Sequence, residues 1–230
     1  MDDLLGGRQV HRHASIREQV ADIIRDAIVN VRLEPGQVLV ERQLCDMTGA
    51  SRTSVREALR QLEAESLVIS VNGRGTIVAV PDLALARGVY EASVELEGVA
   101  AEVFVTRASV GDRAALRDAL GDVREAIETH AEPVELYSRI NAFFEVLLGG
   151  TRNEVLAQTL RGLHNRVGAL HIRGLGVPGR AERTLADLDT IVRSITANDP
   201  AASRRAAASF AQQVASTTFS LLSPDGDEAH

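Results

Sequence analysis

Residues 51–80 read SRTSVREALRQLEAESLVISVNGRGTIVAV, and this stretch decides the fold. Ser51 is a favourable N-cap, and the apolar side chains after it recur at the spacing of one buried helix face, at Val55, Ala58, Leu59 and Leu62. Two β-prone runs, 67–71 and 76–80, flank Asn72-Gly73-Arg74-Gly75, a hairpin signal because asparagine and glycine tolerate a positive φ. The stretch therefore predicts a helix followed by a β-hairpin with an arginine at its tip.

Two further helices are predicted upstream of this stretch. Ser15 and Glu18 form a capping-box pattern, and apolar residues recur at helical spacing from there to residue 31. After a turn at Pro35-Gly36, a short helix extends from about Glu41 to Met47, and Gly49 is its expected C-cap. Three helices and a hairpin in this order predict a winged helix-turn-helix over residues 15–80.

This arrangement suits DNA binding. The N-terminus of a helix attracts phosphate, and arginines in the first turns of the third helix can reach guanine or the backbone. Arg52, Arg56 and Arg60 lie on one face of that helix. Arg74 at the hairpin tip is placed to enter the neighbouring minor groove. An arginine stripe alone is more often a solvated helix face, so the inference depends on the order and spacing of all the elements. A winged helix that binds only protein is the alternative, and the arginine-rich start of the third helix argues against it.

The rest of the chain, residues 82–222, predicts an all-α six-helix bundle without strand signals. The helices are expected at about 82–107, 109–130, 134–148, 153–172, 180–197 and 200–220. In the first of them, apolar residues at alternating four- and three-residue spacing form a seam suited to packing against another helix, part of it in a second copy: Leu85, Val89, Ala92, Leu96, Val99 and Val103. The predicted fold class is therefore mainly α, with flexible termini at residues 1–14 and 223–230.

Composition limits the function classes. The chain has 230 residues and a net charge of −7, but residues 1–80 hold 10 arginines against 11 acids, whereas residues 81–230 hold 15 against 21. Only local clustering can therefore create a DNA-binding surface. The single cysteine, Cys45, excludes an intramolecular disulfide and a multi-cysteine metal site. No apolar run is long enough to span a membrane, and the first thirty residues are charged throughout, unlike a signal peptide, so a cytoplasmic protein is expected.

Several segments together resemble the DNA-binding domain of GntR-family bacterial transcription regulators: Leu33–Gly36, Glu41–Leu44, Ser51–Glu63 and Asn72–Thr76. One departure is Ser54, where the family often has proline, and serine fits there too. The resemblance implies a sequence-specific regulator, expected to be a repressor that binds a short inverted repeat of double-stranded DNA as a homodimer. It also implies that DNA is contacted by Arg42, Ser51, Arg52, Thr53, Arg56, Gly73 and Arg74.

The helix order and a few anchors of the second region resemble the C-terminal effector domain of the FadR-type GntR subfamily. Many such domains hold a metal with an Asp and a His on the third helix and a His on each of the last two. The corresponding residues here have no donor atom, so no metal and no other cofactor is expected: Ile140, Phe144, Leu188 and Phe210. Ser93 stands where carboxylate-sensing members commonly have an arginine. These departures imply an effector that is neutral or largely hydrocarbon, or no small effector at all.

The residues expected to bind an effector are Asn141, Phe144, His164, Asn165, Leu188 and Phe210. His164 and His171 lie seven residues apart, too far to bind one ion together, and are interpreted as polar residues on a partly solvated helix face, with His164 able to reach the cavity. The alternative is that the phenyl rings fill the cavity and that a partner protein or abundance controls the regulator.

Catalysis is not expected. The sequence has no Gly-x-Ser-x-Gly elbow and no phosphate-binding loop. Cys45 lies within the helix-turn-helix without an evident base, and Glu95 and Glu97 lie on different sides of a helix. The chain is therefore interpreted as a binding protein and not as an enzyme.

Overall fold

A computed structural model of the chain describes residues 15–223, so the predicted flexible N-terminus and nearly all of the predicted tail lie outside the described residues. The elements, in chain order, are α1 (Ile16–Val29), β1 (Val38–Leu39), α2 (Glu41–Thr48), α3 (Arg52–Ala64), β2 (Val68–Val71), β3 (Gly75–Val78), α4 (Leu83–Arg107), α5 (Val110–Glu128), α6 (Pro133–Gly150), α7 (Glu154–Leu175), α8 (Arg180–Thr196) and α9 (Pro200–Leu222). The predicted fold class is confirmed. Among these described helices, none is long and apolar enough to cross a membrane.

Local capping sets the helix ends in the N-terminal region. Ser15 and Glu18 form the predicted capping box of α1, and Ser51 accepts a hydrogen bond of 3.2 Å from the Ser54 amide at the start of α3. Gly49 ends α2 with a φ of 68°. These interactions are made within four residues of each helix end, which is why the sequence alone predicts them.

The sheet has three strands, one more than the sequence predicts. Its order is β1-β3-β2, with both neighbouring pairs antiparallel, and Val38 opposite Ile77 in the extra pair. A strand of two residues carries too little periodicity to be predicted. In the β2–β3 hairpin, hereafter the wing, the positive φ angles belong to Gly73 and Gly75 and not to Asn72.

Each region has its own apolar core. The N-terminal core joins α1 and α3 to the sheet through fully buried side chains that include Ile24, Val55, Leu62 and Val68. The bundle core is larger and includes Phe104, Leu116, Phe143, Leu147, Leu160 and Ile191. Aliphatic residues fill the N-terminal core, and phenylalanines contribute to the bundle core.

The buried face of α4 is not the predicted seam. Of the seam residues only Val89 is buried, and the others are half-buried. The buried positions are instead mostly small or polar, among them Ala86, Ser93, Glu97, Gly98 and Ala101. The reason is the close approach of α9, since a Cβ atom at Gly98 would come within 3.1 Å of the Arg204 carbonyl oxygen. The larger aliphatic residues therefore lie on the flank, and their contact with a second copy stays a prediction.

The two regions contact each other through α1 and α7. Val29, at the end of α1, is buried together with Tyr137 of α6 and Ile172 of α7. The Arg166 Nε atom on α7 donates a hydrogen bond of 3.1 Å to the Glu65 carbonyl oxygen, just after α3. The Glu65 carboxylate in turn accepts two hydrogen bonds of 2.7 Å from Arg25. Helix α7 therefore touches both the bundle interior and the winged helix.

Candidate DNA-reading surface and bundle cavity

Four arginines of the winged helix are exposed with unpaired side chains, namely Arg60 and three of the predicted DNA contacts. Arg42 lies on α2, Arg52 opens α3, and Arg74 lies at the tip of the wing. None of these side chains forms a hydrogen bond or a salt bridge with the described residues. Thr53 is also exposed in the first turn of α3. An unpaired guanidinium has five donors in a fixed fork, which suits both phosphate and the O6 and N7 atoms of guanine.

Arg56 differs from the other predicted contacts because it already has a partner. Its Nε atom donates to both carboxylate oxygens of Glu41, at 2.8 and 2.9 Å. This hydrogen bonding raises the pKa of Arg56 and lowers the pKa of Glu41. The pair links α2 to α3 on an exposed surface, where such a bridge adds little stability. Arg56 can contact DNA only with its remaining Nη donors or after it releases Glu41.

Ser51 and Gly73, the two small residues predicted to contact DNA, also have structural roles. The Ser51 hydroxyl caps α3 and lies 3.0 Å from the Ser54 hydroxyl. Gly73 is exposed at a φ of 78°, a conformation that a residue with a side chain rarely adopts, and it allows the tight turn that presents Arg74. Their contact with DNA stays a prediction.

A cavity lies in the bundle among α4, α6, α7, α8 and α9, hereafter the bundle cavity. The space open to the centre of a water molecule is about 40 Å³, enough for roughly three ordered waters. Eight of the eighteen lining residues are apolar, including Ile140, Phe144, Leu170 and Phe210. Polar and charged residues complete the wall: Tyr90, Glu97, Tyr137, Asn141, His164, His171, Arg180, Thr184, Thr217 and Thr218.

Four of the six predicted effector residues line this cavity, and two do not. Asn141, Phe144, His164 and Phe210 are in the wall. Leu188 is fully buried in the bundle core, outside the lining. Asn165 faces a cleft between α7 and the winged helix, because one residue turns a helix by about 100° and carries it away from His164. The expectation that Leu188 and Asn165 bind a ligand in this cavity does not fit these positions.

Both histidines are half-buried, and both line the bundle cavity. The His164 Nε2 atom lies 2.9 Å from the buried carboxylate of Glu97. The His171 ring lies near the rings of Tyr90 and Tyr137, with a centroid distance of 5.8 Å to each. Burial lowers the pKa of His171 to about 3, so its imidazole is neutral at physiological pH.

Arg180 is the residue that sequence reasoning missed. It is the first residue of α8 and only 4% exposed, and its side chain lines the cavity without a salt bridge to any described residue. The signal was present, because Arg180 starts the stripe that continues through the buried residues Thr184, Leu188, Ile191 and Ile195. The prediction of an apolar cavity is therefore wrong in this respect, since the buried cation of Arg180 lies in its wall.

Family comparisons agree with this two-part architecture. Residues 16–78 match the family model described as bacterial regulatory proteins, gntR family, and residues 88–213 match the FCD domain. The chain belongs to the GntR family. This GntR-family protein is 29% identical over 200 residues to the HTH-type transcriptional regulator Rv0494 of Mycobacterium tuberculosis. The match covers 81% of this chain and 83% of that relative. It is 25% identical over 182 residues to the regulator YdhC of Bacillus subtilis, and the match covers 79% of this chain and 81% of that relative.

Solved structures show the same fold. The structure of Escherichia coli McbR/YncC matches with a TM-score of 0.81 at 20% identity and covers 92% of this chain and 100% of that one. A GntR regulator from Rhodococcus sp. RHA1 matches with a TM-score of 0.75 at 20% identity. That match covers 89% of this chain and 98% of the Rhodococcus chain. This GntR-family protein is therefore a DNA-binding transcription regulator with a FadR-type helical domain, a domain type that typically binds small effectors.

The cavity of this GntR-family regulator does not fit the metal that many such domains hold. Of the four positions that the resemblance assigns to metal ligands, Ile140, Phe144 and Phe210 present hydrocarbon to the cavity, and Leu188 lies in the core behind it. Within residues 15–223, no group of three or more His, Cys, Asp or Glu side chains is placed to hold a metal ion. A divalent cation buried there would lose its hydration without gaining ligands.

Proposed function

We propose that this regulator is a cytoplasmic repressor, without enzymatic activity, that binds a short inverted repeat as a homodimer and releases it when a small molecule enters the bundle cavity. The observation that carries the DNA-binding half is the set of unpaired, exposed arginines on α2, α3 and the wing. Two half-sites are needed because one small helix-turn-helix buries too little surface on DNA for useful affinity and specificity.

Helix α7 supports the coupling between cavity and DNA. One face of it places His164 and His171 in the cavity wall, and another holds Glu65 of the winged helix through Arg166. Tyr137 also lines the cavity and packs against Val29 of α1. A ligand that moves α7 or Tyr137 must therefore change the packing of the winged helix. Such a ligand shifts DNA affinity to the extent that it binds one bundle arrangement better than the other.

A second candidate is a regulator without a small effector. The small free volume of the cavity favours it, as does the contact between the Phe144 and Phe210 rings, whose centroids lie 5.2 Å apart. In this case the aromatic rings act as core, and a partner protein or abundance sets the DNA occupancy. The two candidates differ in whether any small molecule stabilises the protein.

The DNA-binding half is tested with Arg52→Ala. If Arg52 reads a guanine edge, the variant should lose on the order of 1–3 kcal/mol of binding free energy and relax its preference at one base pair of each half-site. Selection from a random duplex library followed by fluorescence anisotropy measures both effects. Arg117→Ala, a change at an exposed arginine on α5 of the bundle, is the matched control. An unchanged selection profile would contradict the assignment, and a uniform loss over all sequences would make Arg52 a phosphate contact.

The dimer is expected to form through the bundle. Leu85, Leu96, Val99 and Val103 on the flank of α4 remain half-buried in the single chain, which leaves apolar surface for a partner. Analytical ultracentrifugation at micromolar concentration should therefore give a dimer both for the full chain and for residues 82–230 alone. A monomeric bundle beside a dimeric full chain would place the contact in the winged helix.

A further inference from the structure

One acidic side chain lies among the arginines that are placed to read DNA. Glu41 is the first residue of α2, and its carboxylate accepts hydrogen bonds of 2.8 and 2.9 Å from the Arg56 Nε atom on α3. Arg52, one turn before Arg56 on α3, also acts on this carboxylate electrostatically. Because DNA is a polyanion, a carboxylate in this place weakens binding unless it has another role.

Protein stability is a weak explanation for the Glu41–Arg56 pair. The pair lies at the surface, with 59% of the Arg56 side chain and 36% of the Glu41 side chain exposed, and such an ion pair adds little to the free energy of unfolding. Leu44 of α2 and Val55 of α3 are buried in the same apolar core, which already holds the two helices together. An acidic residue in the first turn of α2 also interacts favourably with the helix dipole, but that interaction does not need Arg56.

The pair leaves the far end of the Arg56 guanidinium free. Glu41 accepts from Nε, and neither Nη atom forms a hydrogen bond with the described residues. The Nη donors are therefore available for a bidentate contact with the O6 and N7 atoms of guanine. The unpaired side chains of Arg42, Arg52 and Arg74 lose rotamer freedom when DNA orders them. Arg56 is already held by Glu41, so ordering it costs less.

DNA binding should preserve this pair. A duplex on this surface excludes water, and two opposite charges attract each other more strongly where water is excluded. If Arg56 released Glu41 instead, the carboxylate would face the phosphates without its cation, and an unpaired charge in such an interface is costly. A bound arrangement that keeps the pair is therefore favoured over one that breaks it.

We propose that Glu41 is a positioning residue for specific DNA recognition, which holds the Nε atom of Arg56 so that the Nη atoms face one guanine of each half-site. This inference rests on the proposed contact between Arg56 and DNA, and it gives Glu41 a role in specificity. In this role an acidic residue strengthens binding to the correct sequence although it weakens binding to unrelated DNA.

The proposal is tested with Glu41→Ala in the full chain, on the duplex that the wild type selects. The affinity for that duplex should fall by about three- to tenfold, because Arg56 is then ordered only on binding. The affinity for an unrelated duplex should rise, because one acidic side chain is gone. Glu57→Ala is the matched control, since Glu57 is exposed on α3 and its side chain has no hydrogen bond or salt bridge with the described residues. This control should bind both duplexes at least as tightly as the wild type.

A double-mutant cycle identifies the cause of the loss. Glu41→Ala should relax the preference at the same base pair as Arg56→Ala in selection from a random library. In the Arg56→Ala background, Glu41→Ala should cost no further affinity for the selected duplex. This second result also excludes misfolding and a helix-dipole effect, because both would persist without Arg56.

Several results would overturn the proposal. Tighter binding of the selected duplex by Glu41→Ala would make Glu41 only a repulsive charge, and relaxation at a different base pair would mean that Glu41 reads a base itself. An equal loss in the Arg56→Ala background would give Glu41 a structural role alone. An unchanged selection profile for Arg56→Ala would remove this inference and leave the proposed regulator intact, whereas a wild type that selects no sequence would contradict both.

Discussion

Gly150→Ala is expected to destabilise the bundle by roughly 3 kcal/mol or more. A Cβ atom at this position would lie 2.2 Å from Cε2 and 2.4 Å from Cδ2 of Phe104. Phe104 has no exposed surface and lies in the bundle core, so its ring has no free space to move into. Alanine is favoured over glycine within helices by up to about 1 kcal/mol, and the overlap with Phe104 outweighs that gain.

The neighbouring glycine supplies the control. Gly149 lies on the same helix, and a Cβ atom there would meet nothing within 4 Å. Urea denaturation should therefore show little change or a small gain in the free energy of unfolding for Gly149→Ala. Phe104→Leu combined with Gly150→Ala should recover part of the loss, because the smaller side chain makes room. Equal free energies of unfolding for the two alanine variants would show that the contact with Phe104 does not constrain the chain.

The winged helix is the part that the sequence predicts best, because short-range interactions define it. The caps of α1 and α3 and the glycine end of α2 involve residues at most four positions apart, and the structure confirms them. The extra strand β1 was missed for the opposite reason. Its two residues acquire extended structure only by pairing with β3, nearly forty residues later in the chain.

The bundle shows what periodicity leaves undetermined. The helices and their order follow from the sequence, but the face of α4 that is buried depends on how closely α9 approaches at Gly98. In the same way, the rotation of α7 decides that His164 faces the cavity while Asn165 faces the winged helix. An apolar stripe gives the buried side of a helix, but it does not assign neighbouring residues to a cavity or a cleft.

Arg180 and Leu188 show a related limit. Both lie on the buried stripe of α8, yet only Arg180 reaches the cavity. A resemblance transfers a position along the chain but not the side chains that surround it. Since the metal-ligand positions here carry hydrocarbon, the polar contents of the cavity come from residues that the family pattern does not mark.

Acidification is expected to destabilise the protein through His171, by on the order of 3 kcal/mol between pH 7 and pH 4. Burial lowers the pKa of His171 in the folded state from 6.5 to about 3, and the nearby charges of His164 and Arg180 act in the same direction. Below about pH 6.5 the unfolded chain therefore binds a proton that the folded chain excludes. The free energy of unfolding falls with decreasing pH throughout this window and levels off near the folded pKa.

The measurement compares urea denaturation at pH 7 and pH 4 for three proteins. His171→Phe keeps a ring beside Tyr90 and Tyr137 but cannot bind a proton, so its loss of stability should be smaller than that of the wild type by about 3 kcal/mol. His130→Gln, a change at an exposed histidine, should follow the wild type. Carboxylates that are paired in the folded state add to the acid loss in all three proteins and cancel in the difference. Equal losses for wild type and His171→Phe would mean that the folded protein binds a proton at His171 as readily as the unfolded chain does. That result would require the cavity to open to water without unfolding.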